Sequence, residues 1–106
     1  MSLSLPFFVV GSAAFYTLAM VAMKLFGQGS HQALIAIVIA GSILLGTLME
    51  VEALKVERLG MIYVAILGAE CVLIALASWA LFGESFSGRE VAGAGLIVAG
   101  VALAWA

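Results

Sequence analysis

Charged residues are scarce in this sequence: they make up only 9% of its 106 residues, whereas 66% are hydrophobic. A soluble domain typically has about 25% charged and about 45–50% apolar residues. A domain of this size also buries a smaller share of its surface than a large domain does. The composition therefore excludes an ordinary soluble domain and predicts that the lipid bilayer covers much of the surface.

Basic residues and cysteine are nearly absent, which excludes several kinds of site. The four Lys and Arg residues form no basic patch for nucleic acid, and the net charge is −2. Cys71 is the only cysteine, so neither an intramolecular disulfide nor a cysteine-based metal site can form. The sequence also contains no nucleophile–base pair, phosphate loop or metal cluster. We therefore expect neither an enzyme nor a bound cofactor.

Four long apolar runs, separated by short polar segments, make up the rest of the chain. A helix needs about 20 residues to cross the core of a bilayer, and each run is close to this length. Lipid offers no partner for unpaired backbone groups, so helices are the expected structure. Ser30 is a candidate N-cap, and Ser87 with Glu90 has the pattern of a capping box. The prediction is an all-α integral membrane protein with one domain over residues 1–106 and spans at 6–26, 33–54, 59–82 and 88–106.

The charged residues of the loops do not determine the orientation of the predicted spans. With four spans, the two termini and the middle loop share one side, which carries Lys55 and Arg58, and the other side carries Lys24 and Arg89. Orientation follows the Lys/Arg excess of short loops, and two against two gives no excess. This count is compatible with two alternatives. One is a single fixed topology set by other factors, and the other is dual topology, in which copies insert both ways.

One carboxylate interrupts the third run. Glu70 lies near the centre of that span, where a charge costs at least about 2.5–3.5 kcal/mol, and ionisable residues there mark function by default. Helical spacing puts Tyr63 on the same stripe and Trp79 on the opposite face. We expect Glu70 to bind a proton or a cation beside Tyr63. The alternative is a neutral carboxyl group that hydrogen-bonds another helix.

Two further residues near the spans carry polar groups. Tyr16 lies on one stripe of the first span, where its phenol is expected to hydrogen-bond Glu70 or a substrate, with a packed aromatic as the alternative. Glu50 is the deepest acid at the end of the second span. We interpret it as part of a solvated helix end, with a place on a vestibule as the alternative.

Several short motifs resemble those of the small multidrug resistance transporters, which belong to the drug/metabolite transporter superfamily. "MKLFGQG" at 23–29 is similar to the family's ending of helix one, and "ALKVERLGMIYVAILG" at 53–68 to its passage into helix three. "SWALFGE" at 78–84 is similar to its close of helix three. Gly93 and Gly100 match the paired glycines of helix four.

The resemblance implies a dimer in the bacterial inner (plasma) membrane, with antiparallel subunits. Helices one to three of both subunits would enclose a substrate chamber, and helix four would hold the dimer through Gly93, Ile97 and Gly100. The small residues of this helix permit close helix contact by themselves, and packing within one subunit is the alternative use. The activity implied is proton-coupled antiport that exports cationic or guanidinium-like compounds.

At two positions the sequence departs from the family pattern. Tyr16 stands where the family has the helix-one glutamate, and Ile66 stands where it has a tryptophan. Tyr63 matches a family tyrosine, and Glu70 replaces a glycine. These four residues form the predicted substrate- and proton-binding site. The predicted function is a transporter subunit that moves a small cationic or metabolite solute by alternating access, as a homodimer or with a paralogous partner. The alternative is a non-transporting subunit that packs against a larger membrane complex.

Overall fold

The computed structural model describes residues 4–29 and 31–105, and within them the secondary structure is entirely helical. The sequence-based expectation of an all-α chain with four helices is confirmed, and each helix is long and apolar enough to cross a membrane. The bounds differ from the predicted spans by at most two residues. The proposed cap Ser30 and the last residue, Ala106, lie outside the described residues. The helices are α1 (Ser4–Gly27), α2 (Gln32–Leu54), α3 (Leu59–Phe82) and α4 (Gly88–Trp105).

The turn between α3 and α4 is built from local hydrogen bonds. Gly83 ends α3 in the left-handed region (φ 65°), where a glycine has no Cβ to clash. The Glu84 amide then donates to the Ser78 carbonyl over 3.2 Å. The predicted capping box is present, since the Glu90 amide donates to Ser87 Oγ (3.2 Å) and the Ser87 amide donates to Glu90 Oε1 (2.8 Å).

The helices form a flattened layer with the order α2, α1, α3, α4, and α2 also contacts α3. Helix α1 packs against both α2 and α3, whereas α4 packs only against α3 within the described part of the chain. The principal extents are 43 × 35 × 19 Å. The thinnest, 19 Å, is about two helix diameters of about 10–12 Å. The described part of the protomer is therefore a flattened layer about two helix diameters thick.

The core is small and lies where α1 meets α3. Its buried residues come mainly from α1 and α3, with one from the end of α2: Leu5, Val9, Ala13, Ala53, Ile62 and Ile66. By contrast, most large apolar side chains of α2 and α4 are exposed. An apolar surface of this extent marks a face that contacts lipid or another protein.

Candidate functional site

A cavity of about 160 Å³ lies among α1, α2 and α3. It contains all four residues of the predicted substrate- and proton-binding site, one from α1 and three from α3. Two further residues complete its lining, the acid Glu50 from α2 and the apolar Leu67 from α3. The lining is therefore Tyr16, Glu50, Tyr63, Ile66, Leu67 and Glu70.

Close contact between α1 and α2 brings Tyr16 to this cavity. Gly46 of α2 has no side chain, and a Cβ there would lie only 3.0 Å from Cε1 of the Tyr16 ring. Ser12 Oγ donates a buried hydrogen bond of 2.9 Å to the Gly46 carbonyl. Small residues let helix backbones approach closely, and Ser42 and Gly46 are both buried on this face of α2. The Tyr16 ring therefore lies directly against α2.

The hydroxyl group of Tyr16 donates to Glu50 Oε1 over 2.7 Å. It also lies 3.3 Å from Thr47 Oγ1. The sequence-based expectation paired this phenol with Glu70 or a substrate. The structure pairs it with Glu50, because α2 rather than α3 lies against this side of α1. Glu50 is half-buried, so the interpretation of a merely solvated helix end does not describe it.

The α3 side of the cavity combines one open aromatic residue with one half-buried acid. Tyr63 is 61% exposed, and Glu70, seven residues on, lies on the same stripe of the helix. Ile66 is only 5% exposed, because it packs in the α1–α3 core. Within the described residues, the Glu70 carboxyl group takes part in no side-chain hydrogen bond or ion pair.

The cavity is acidic and has no cationic counterpart in its lining. Glu50 and Glu70 are its two acids, and its lining includes no Lys, Arg or His. Lys55 follows the end of α2, and its Nζ is bonded to Glu52 over 2.8 Å. Two carboxylates and two phenols offer oxygen ligands to a proton or a small cation. In residues 4–29 and 31–105, no group of three or more His, Cys, Asp or Glu side chains could hold a metal ion.

The predicted dimer-interface residues lie away from the cavity. A Cβ built at Gly93 or Gly100 would meet nothing within 4 Å, and Ile97 is 47% exposed. Helical spacing puts these three residues on one face of α4. The opposite face of α4, which includes Gly95, lies toward α3. None of the residues that the structure describes therefore covers the Gly93/Ile97/Gly100 face.

Sequence reasoning gave the inward position of Glu50 only as the alternative, and it missed the contact of Thr47 with Tyr16. A usable signal was present, because Thr47 and Glu50 follow the small pair Ser42 and Gly46 on α2, where a close approach of α1 is expected. Comparison with known proteins finds no matching family model, no matching curated protein and no matching solved structure. Membership of the small multidrug resistance family therefore stays a prediction that depends on the quoted motifs.

Proposed function

We propose that the protein is a membrane transporter subunit of the small multidrug resistance type. It moves a small cationic solute by alternating access and exchanges it for protons at Glu70. The observation that carries this proposal is the cavity in which Glu70 lies beside Glu50, Tyr16 and Tyr63 with no cationic side chain in its lining. Intramembrane acids of this kind mark ion and substrate paths.

The proposed setting is the bacterial inner membrane, which the four helices would cross. Their length and hydropathy support this placement. Ion pairs between exposed side chains lie near the helix ends, where they would meet water: Lys24 with Glu84 at one end and Lys55 with Glu52 at the other. Glu50 and Tyr63 flank the α2–α3 turn, so the cavity opens nearer to the end that carries Lys55.

A dimer is part of the proposal, because one protomer offers too little enclosure. The cavity volume is about 160 Å³. A pocket for a drug-sized ligand is larger, at about 300–1,000 Å³. A second protomer, or a paralogous subunit, would pack against this layer and enlarge the chamber. The uncovered face of α4 at Gly93, Ile97 and Gly100 supports a dimer contact there, since small residues allow close helix packing.

Competition between proton and cation gives the proposed exchange. A carboxylate at this depth is costly to leave charged and unpaired, so a bound proton or a bound cation stabilises it. Only one of them neutralises Glu70 at a time. Rocking of the helices around a midplane site would then expose the loaded carboxyl group to either side in turn. Lower pH should accordingly weaken cation binding.

Flux measurements in reconstituted vesicles test this proposal. Vesicles with an acidic interior, diluted into alkaline buffer, should accumulate members of a panel of small alkylammonium and guanidinium compounds. Glu70→Gln should abolish this uptake, whereas Glu52→Gln, which changes an exposed acid outside the cavity, should retain it. Equal uptake by Glu70→Gln and the unchanged protein would contradict the role of Glu70. Uptake no greater than in protein-free vesicles, for every compound, would contradict transport itself.

A second candidate function is that of a non-transporting subunit of a larger membrane complex. A separate cavity of about 390 Å³ among α1, α3 and α4 supports it, because every residue that lines this cavity is apolar or glycine. Such a surface suits a helix of a partner protein. Stoichiometric co-purification with a membrane complex, together with no flux of any tested solute, would favour this candidate.

A further inference from the structure

We propose that Glu50 is a second proton- and cation-binding residue of the cavity and that Tyr16 is the positioning residue that holds it there. The inference rests on the proposed function, since it concerns the same cavity. It goes beyond that function by joining the acid on α3 to an acid on α2, so that each protomer contains a complete pair of carboxyl groups.

The direction of the hydrogen bonds supports a positioning role for Tyr16. A phenol has one hydrogen to donate, and Tyr16 donates it to Glu50 Oε1 over 2.7 Å. Thr47 Oγ1, 3.3 Å from the phenol oxygen, is then left as the donor to Tyr16. The chain of bonds runs from Thr47 through Tyr16 to Glu50. It fixes one oxygen of the Glu50 carboxyl group and leaves the other without a hydrogen-bond partner among the described residues.

Few other charged or titratable groups face this carboxyl group. Tyr16 faces it from α1, and Tyr63 and Glu70 share its cavity from α3. Lys55, which follows α2 directly, is bonded to Glu52 at 2.8 Å. Among the described residues, the one acid that shares the cavity with Glu50 is therefore Glu70.

Two carboxyl groups in one small cavity do not ionise independently. Like charges at short range disfavour the doubly ionised state. The pair then gains and loses its protons in two coupled steps that belong to both residues together. One protomer would take up two positive charges when fully loaded, as two protons, or as one proton and one monovalent cation. A single carboxylate at Glu70 would accept only one.

Infrared-monitored pH titration of the protein in phospholipid vesicles tests the pair with protons alone. The unchanged protein should show two coupled steps in the protonated-carboxyl stretching region. Glu50→Gln should remove one step and move the midpoint of the other. Tyr16→Phe should retain both steps but shift the stretching frequency of one carboxyl group, because a hydrogen bond to it is lost. Glu52→Gln should leave both steps unchanged.

Several outcomes separate this inference from the proposed function. If Glu50→Gln leaves the Glu70 step where it was, or if Tyr16→Phe leaves every carboxyl frequency unchanged, the pair is refuted. Tyr16→Phe keeps the aromatic ring and its packing, so it reports on Glu50 even if Glu50→Gln fails to fold. Coupled steps in a protein that shows no solute flux would support the pair and contradict transport.

Discussion

The side chain of Lys24 reaches from the end of α1 to Glu84, which follows α3, and its Nζ lies 2.8 Å from Glu84 Oε2. The same ammonium group lies 5.2 Å from the centroid of the Phe82 ring. Both charged side chains remain largely exposed, at 50% and 41%. The contact therefore joins two neighbouring helix ends on one side of the layer, opposite to the α2–α3 turn.

This ion pair predicts a pH-dependent contribution to stability. The hydrogen bond and charge of Lys24 lower the pKa of Glu84 from its ordinary value of 4.5. A carboxylate whose pKa is lowered by folding stabilises the fold above its ordinary pKa and loses that effect as pH falls through the lower value. Glu84→Gln should therefore reduce thermal stability slightly at neutral pH and low salt. The difference should vanish in acid below the lowered pKa, and also at high salt, since exposed pairs are screened.

Thermal unfolding in detergent, at two pH values and two salt concentrations, measures this effect. Glu57→Gln is a suitable control, because its carboxylate lies 3.9 Å from Arg58 at the opposite end of the layer. If Glu84→Gln lowers thermal stability by the same amount in acid as at neutral pH, the ion pair is not the cause of the loss.

Gly46 provides a second prediction, on the position of Tyr16. A Cβ at this residue would lie 3.0 Å from the Tyr16 ring and 3.3 Å from Phe15 Cβ, so Gly46→Ala should push α1 and α2 apart. Overpacking of this kind costs about 1–3 kcal/mol. Gly41→Ala is the matched control on α2, because nothing lies within 4 Å of its Cβ position. It should gain up to about 1 kcal/mol from helix propensity.

Unfolding of both variants by a denaturing detergent measures the difference in stability. Infrared spectra should in addition show an altered Glu50 carboxyl band in Gly46→Ala alone. Equal stability of the two alanine variants would indicate that the α1–α2 contact is looser than these distances imply.

The helices could be predicted from the sequence, because their signals are local. Four long apolar runs and the box from Ser87 to Glu90 depend on residues close together in the chain. The common stripe of Tyr63 and Glu70 could also be predicted, since it follows from a spacing of seven within one helix. Grouping both residues with Tyr16 in one site came from the family resemblance, and the structure shows the three on one cavity.

The partner of Tyr16 could not be predicted, because it depends on which helix lies against α1. That choice is made by packing between distant segments, where Ser12 and Gly46 allow α2 to come close. Composition alone likewise suggested a solvated position for Glu50, near a helix end with other charges. The hydrogen bond from Tyr16 turns this residue toward the cavity.

Gly68 gives a third prediction, on the contact between α3 and α4. A Cβ there would lie 2.5 Å from Val101 Cγ2 and 3.1 Å from Val101 Cβ. Valine is stiff at χ1, so Gly68→Ala should displace α4 and destabilise the fold by about 1–3 kcal/mol. Val101→Ala in the same chain should restore most of this loss. A double-mutant cycle from unfolding measurements gives the coupling, and additive effects would show that the two residues are not in contact.

The uncovered face of α4 leads to the last prediction. Gly93 and Gly100 have open space where a Cβ would stand, so Gly100→Leu should leave the protomer folded. If this face forms the dimer, the leucine side chain should hold the two helices apart and shift the protein toward monomers. Gly60→Leu is the control, since Gly60 also has open space but lies at the start of α3. Cross-linking and light scattering in detergent report the oligomeric state, and helical circular dichroism confirms folding. A dimer that survives Gly100→Leu and Gly93→Leu unchanged would place the interface on another face, because no close helix contact accommodates leucine at both positions.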